Sequence, residues 1–414
     1  MGPPSTGGLV GYQLGLPVTP EVHLTKVILS GYLPIDNLSR HRHKEAVSLR
    51  SRAMGRLKYP AFVILVLIAF SALLQAAPAK SAAKGTVKVG FLVSDLRHER
   101  WQTDIDQFTN RAIELHATVM TRDAQSDADI QFAQAKELLE KGARVLVVNP
   151  VDGDKAGAIV ALAHKHKVPV IAYDRLIMGH RPDFFVSYNN ERIGELQAEY
   201  LLKLAPQGNY VLLEGSSTDN NATIYHEAHM KVLKAATDSG KITIVAEQWV
   251  KDWSETEAYM QMMKALQVTR NIQAVVAAND DTASGATQAL LDAKVSPMPV
   301  ISGQDSDLSA VVRIIKGTQS MSIYKPLAPL ARLAADAAIE LAQGKKPAAQ
   351  TKINNGTVDV PAVLLEPKAV DRSNLMQTVF ADHFQSPAIV QKELTQKEWD
   401  AFATETTGTS GGSR

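Results

Sequence analysis

From residue 86 to about residue 342 the chain alternates short unbroken apolar runs with helix-length amphipathic stretches. Val87-Lys88-Val89-Gly90-Phe91-Leu92-Val93 reads as a buried strand, and 99–116 then carries apolar residues at helical spacing. Strands follow at 117–121, 145–148 and 169–173, with helices at 128–141 and 154–166 between them. The alternation then repeats, with strands at 209–214, 242–247, 274–278, 299–302 and 320–324. Helices at 191–204, 222–238, 255–266, 281–291, 308–315 and 328–341 fill the gaps. Continuous β-branched runs separated by helices predict parallel sheets covered on both faces. About ten such strands would make one awkwardly wide sheet, so the pattern predicts an α/β protein of two doubly wound parallel-sheet domains.

The longest apolar run lies outside this region, at 60–79 (PAFVILVLIAFSALLQAAPA). A basic flank, Met54-Gly-Arg-Leu-Lys58, precedes it, and small residues close it near Ala76–Ala79. That is the layout of a secretory signal peptide, and 54–84 is read as signal and linker. An uncleaved anchor is the alternative, since the run nearly reaches the ~20 residues that span a bilayer. Residues 1–53 are an N-terminal extension that does not fit the signal, and Met54 is read as the initiator. The Gly/Ser/Thr-rich segment 407–414 is expected to be a flexible tail.

Charge narrows the class further. The formal net charge is +1, but residues 1–79 hold eight Lys/Arg against three Asp/Glu, leaving 36 basic and 40 acidic residues beyond them. A slightly acidic body argues against a nucleic-acid partner. The chain has no cysteine, which removes disulfides, thiolate metal sites and Cys nucleophiles.

In open parallel sheets, ligands bind beyond the carboxyl ends of the strands. The segments placed there are 94–101, Asp174-Arg175, 215–221, Gln248-Trp249 with Trp253, 279–281, 303–305 and Lys325-Pro326. Arg, Lys, Asp and Asn supply fixed donors and acceptors, and indole supplies a flat apolar face. Together they suit a sugar, whose hydroxyls both donate and accept and whose C–H face packs on indole. Individual residues have plainer readings. Asp281 and Thr282 read better as helix caps than as ligand contacts, and Asp280 is open to either. Asp174 and Arg175 could pair with each other, Trp249 or Trp253 could be packing, and Asn220 or Asn221 could be turn residues.

No G-x-G-x-x-G follows the first strand, and neither a P-loop nor a G-x-S-x-G elbow is present. His226-Glu-Ala-His229 places its histidines three apart, not the four of a metalloprotease helix, and reads as a solvated helix face. A glycosidase pair would need Asp174 with Asp280 or Asp305, and these read better as hydroxyl acceptors tied to Arg100, Arg175 and Lys325. No catalytic residue, metal or cofactor is expected.

An ordered set of strings carries a resemblance: DLRHERWQ from Asp95, AYDR from Ala172, NERIGELQ from Asn190, DNNA from Asp219, QWV from Gln248, AND from Ala278, GQD from Gly303 and YKP from Tyr324. The chain resembles the ribose-type periplasmic sugar-binding proteins of bacterial ABC transporters, and ERW and YKP resemble the D-xylose branch. The resemblance implies the type I periplasmic binding fold: two lobes joined by a three-segment hinge, closing on a sugar. Lobe one would hold 86–188 and 327–353, and lobe two 189–326 and 354–406. Crossings are expected at 188–190, 324–326 and 354–359. The implied contacts are Arg100, Trp101, Asp174, Arg175, Asn221, Trp253, Asn279, Asp305 and Lys325, with Arg97 as an addition. The implied partners are a monosaccharide, a membrane ABC permease and a chemoreceptor, for a periplasmic monomer. Another pentose or a hexose is the nearest alternative. A repressor effector domain would need a helix-turn-helix where the apolar run stands, and a sugar enzyme would need a nucleophile or metal site.

Overall fold

The computed structural model describes residues 86–408, with side chains through Thr406. The N-terminal extension, the segment 54–84 expected to be a signal and linker, and residues 409–414 lie outside the described residues.

Thirteen strands and eleven helices are described. The first sheet is built on β1 (Val87–Val93), flanked by β2 (Ala117–Asp123) and β3 (Val145–Val148). Beyond β3 come β4 (Val170–Tyr173) and β5 (Phe184–Tyr188), all in parallel. Helix α1 (Glu99–Glu114) packs Trp101, Ile105 and Phe108 against Val89, Phe91 and Val93. The opposite face, through Leu92, Leu146 and Val170, is covered by α2 (Ala128–Glu140) and α3 (Gly157–Lys165). From Val89 to Val93 the faces of β1 alternate and both are buried, which is why Lys88, at the exposed start, is the run's one polar position.

The second sheet has the order β7-β6-β8-β9, from β6 (Gly208–Glu214), β7 (Ile242–Trp249), β8 (Ala274–Ala277) and β9 (Val300–Ile301), again parallel. Helices α4 (Asn190–Leu204) and α5 (Asn220–Asp238) cover one face, and α6 (Glu255–Val268) and α7 (Asp280–Asp292) the other. Helix α8 (Leu308–Lys316) ends at Gly317, whose φ of 78° suits glycine at that stop. Strand β10 (Ser322–Tyr324) then leads into α9 (Leu327–Ala342). This helix returns to the first sheet and buries Ala331, Ala334, Ala335 and Ala338 there.

The chain therefore passes between the sheets at 188–190 and 324–327. The third crossing is not at 354–359. Strand β11 (Thr351–Asn354) turns through 355–358 into β12 (Asp359–Leu365), and β12 pairs in parallel with β5 on the first sheet. Only after Leu365 does the chain cross, to β13 (Lys368–Val370), which pairs antiparallel with β10. Residues 354–365 thus belong with the first sheet, which they extend to seven strands. The Asn354-Asn-Gly-Thr turn is a hairpin signal, and the backbone groups on the outer edge of β5 are what β12 satisfies. The last helices, α10 (Pro387–Lys392) and α11 (Gln396–Gly408), were not expected; Val390 and Phe402 pack them onto α8 and β10.

Candidate functional site

The strand ends of the two sheets face each other across a cavity. All nine residues that the resemblance implies line it: Arg100, Trp101, Asp174 and Arg175 from the first sheet, and Asn221, Trp253, Asn279, Asp305 and Lys325 from the second. Each is at most 8% exposed. Three of them, Asp174 (φ 62°), Trp253 (φ 57°) and Asp305 (φ 99°), hold a left-handed backbone that non-glycine residues rarely adopt. Such strain costs on the order of 1–3 kcal/mol and collects at functional sites.

Arg100 is the hub. Its Nη2 donates to Asp174 Oδ2 at 2.8 Å, its Nη1 to Asp305 Oδ1 at 3.1 Å and its Nε to Asp104 Oδ2 at 3.3 Å. Its guanidinium lies 4.2 Å from the centre of the Trp101 ring. Asp305 also takes Lys325 Nζ at 2.9 Å. Burial works against both charges, but the lysine and arginine outweigh it and lower the Asp305 pKa. For Arg100, Asp174 leads the carboxylates that outweigh burial and raise its pKa. Asp104, with no cation of its own, goes the other way: burial pushes it up to about 6 against the pull of Arg100.

Arg175 does not pair with Asp174. Its Nε donates to Asp219 Oδ2 across the cleft at 2.7 Å, and its guanidinium faces Trp101 at 5.6 Å. Asn221 is held on both sides: Oδ1 accepts from Asn190 at 2.8 Å, and Nδ2 donates to the Asp174 carbonyl at 3.1 Å. Asn279 caps α7 through a capping box with Thr282, so the cap is neither Asp280, Asp281 nor Thr282 alone. Asp280 is buried behind the cavity, where it accepts from Gln319 and Ser322. It therefore holds the loop, accepting the Ser322 hydroxyl, and does not line the cavity. Trp249 stays out of the cavity, 5.4 Å from the His226 ring.

Arg97 does not reach the cavity. It is exposed and donates to Asp95 through Nε at 2.8 Å. The lining residues that sequence reasoning passed over are His98, Asp219, Tyr225, Asp281, Gln304 and Asp307. His98 Nδ1 meets Asp281 Oδ2 at 2.6 Å across the two lobes. The Glu99 carboxylate likewise accepts the Leu308 N–H of α8 at 3.3 Å. Trp253 Nε1 and Gln304 Oε1 are buried with no protein partner, so the cavity wall keeps polar atoms for something else to satisfy. The signal for His98 and Asp281 was their position within strand-end segments already selected.

The reading of His226 and His229 as a solvated face does not hold. His229 is fully buried, 3.1 Å from the Glu214 carboxylate, because α5 turns that side toward the end of β6. Among the described residues no cluster of His, Cys, Asp and Glu has a geometry that would hold a metal ion. None of their helices is long and apolar enough to cross a membrane.

Residues 89–346 match the periplasmic binding protein domain family. The chain is 45% identical over 299 residues to the D-xylose-binding periplasmic protein of Escherichia coli, covering 72% of this chain and 91% of that protein. Its identity to the Haemophilus influenzae protein of the same name is 44%, covering 73% and 92%. Among solved structures it is similar to an ABC transporter solute binding protein from Clostridium phytofermentans with bound β-D-glucose. That likeness has a TM-score of 0.69 and 27% identity, covering 73% of this chain and 99% of the other. With that match, two α/β lobes and a cavity between their strand ends, the chain belongs to the periplasmic binding protein family.

Proposed function

We propose that this protein is the receptor of a bacterial ABC sugar importer, binding one monosaccharide, D-xylose first, between its lobes without acting on it chemically. The observation that carries this is the Arg100 hub, which joins carboxylates of both lobes beside an indole ring. Ions paired this way have little left for a charged ligand, but their free lone pairs and N–H groups suit hydroxyls. Trp101 and Trp253 offer faces for the C–H side of a pyranose. The nine lining residues that the resemblance implies are the proposed contacts, and the two relatives named for D-xylose support a pentose. The neighbour with bound β-D-glucose makes a hexose the second reading.

A sugar touching both lobes favours the closed form, because only closure presents both sets of donors to it. Closed receptor would then dock on a membrane permease, with a chemoreceptor as a second partner. Residues 54–84 would export the chain to the periplasm. The test is a thermal-shift panel of monosaccharides on protein purified from residue 80 onward, followed by calorimetry. D-xylose at about 100-fold over its Kd should stabilise by about 2.7 kcal/mol. A larger shift with glucose reassigns the sugar, and no shift with any monosaccharide overturns the reading.

A further inference from the structure

A buried charge cluster stands behind the second wall of the cavity, on groups that the sugar reading does not use. Glu214 ends β6 and is fully buried. His229 of α5 places Nδ1 3.2 and 3.1 Å from its two carboxylate oxygens, and His226, one turn earlier, places Nδ1 3.2 Å from Oε1. On the far side of the ring, His229 Nε2 lies 2.9 Å from Gln197 Oε1 of α4.

Hydrogen-bond logic sets the protons. Gln197 Nε2 is 3.3, 3.1 and 3.0 Å from the carbonyls of Ala277, Ala278 and Gly303. Only an NH₂ group satisfies three carbonyls, so Oε1 must be the atom that faces His229, and Nε2 of the ring donates to it. Nδ1 then faces a carboxylate. The ring is therefore held at both nitrogens, between Glu214 and Gln197.

Each end of this network reaches a strand end that launches a cavity loop. Glu214 precedes the loop to Asn221, Ala278 precedes Asn279, and Gly303 precedes Gln304 and Asp305. Gly215 is so close to the indole that a Cβ there would sit 2.0 Å from Trp253 Cη2. The charged groups facing the cluster are few. On β7, Glu247 lies 3.8 Å from His226 Nε2; on α5, Glu227 adjoins His226; α4 contributes the neutral Gln197. The hydrogen bond to Glu214 raises the His226 pKa, while the His229 and His226 charges outweigh burial to lower that of Glu214.

We infer that His229 is a positioning residue for the sugar site: with Glu214 and Gln197 it ties together the three strand ends that carry Asn221, Asn279 and Asp305. The inference rests on the cavity being the sugar site. Without the ring, the buried Glu214 carboxylate and the Gln197 amide oxygen each lose a partner, which is costly. The strand ends then loosen, and the fraction of binding-competent protein falls.

The experiment compares wild type, His229→Gln and His229→Ala. Amide hydrogen exchange is read in sugar-free protein over 215–221, 278–282 and 303–306, alongside the Kd for D-xylose. In His229→Ala, exchange at these segments should rise about tenfold while the first sheet stays unchanged, and affinity should fall several-fold. His229→Gln keeps a neutral donor toward Glu214, so it should keep the segments protected and stay within about threefold of wild-type affinity. The inference is overturned if His229→Ala leaves the three segments as protected as before, or if His229→Gln loosens them as much as His229→Ala does. Exchange in the variants decides this inference and wild-type calorimetry decides the sugar reading, so either can fail alone.

Discussion

The two walls of the cavity carry opposite excesses of charge. The first-sheet wall presents Arg100 and Arg175, with His98 at its edge, around Asp174; the second presents Asp219, Asp281, Asp305 and Asp307 around Lys325. The lobes meet through Arg100 with Asp305, Arg175 with Asp219, and His98 with Asp281. Neither wall is balanced alone, and each supplies what the other lacks. Attraction between the lobes is therefore built in, and the proposed sugar adds to it. The walls also differ in how they hold a carboxylate. Asp305 has two cations and a lowered pKa, whereas Asp104, behind the first wall, shares one and sits near 6.

The sharpest way to break this comparison is to remove the hub. Arg100→Ala leaves three buried carboxylates without their shared cation, at a cost of about 3–5 kcal/mol. D-xylose affinity by calorimetry should fall at least about a hundredfold. Lys325→Ala strips one cation from Asp305 alone and should cost less; equal losses would show that the walls are not asymmetric. The next effect concerns pH. Asp104 binds its proton near pH 6 when folded, against an ordinary value of 3.8. Its stabilising contribution is present below pH 4 and is lost as pH rises through 6, to a limit of about 3 kcal/mol. Chemical denaturation of sugar-free protein should show this rise on acidification from pH 7 to 5, and Asp104→Asn should reduce it. On the second wall, Gly215→Ala pushes on the Trp253 indole and should weaken sugar binding by about 1–3 kcal/mol. An unchanged Kd would mean that Trp253 does not contact the ligand. Smallest is His98→Ala. Its partly exposed pair with Asp281 is worth about 0.2–1 kcal/mol, expected as a two- to fivefold faster release in stopped-flow fluorescence.

Much of this was legible in the residues. Val89–Val93, Val145–Val148 and Ala274–Ala277 are buried on both faces, and such runs end abruptly at the polar residues that line the cavity. The strand-end rule then converted those endings into a site. It worked for Arg100, Asp174, Asn279 and Asp305 because each follows its strand within a few residues. It failed for Arg97, whose neighbour Asp95 captures it, and for Asp219, whose acid chain looks like a cap until the facing lobe supplies Arg175. His229 was misread because helical spacing says which residues share a face, but not whether another element covers that face.

Local order along the chain was enough to determine the alternation of strands and helices, the division into two sheets and the polar segments at their ends, because backbone periodicity and burial are written into neighbouring residues. The partner of each charge, the return of 354–365 to the first sheet and the burial of His229 between Glu214 and Gln197 were decided only by tertiary structure. Hydrogen bonds and ion pairs join groups far apart in sequence, and burial strengthens those that form while penalising groups left alone.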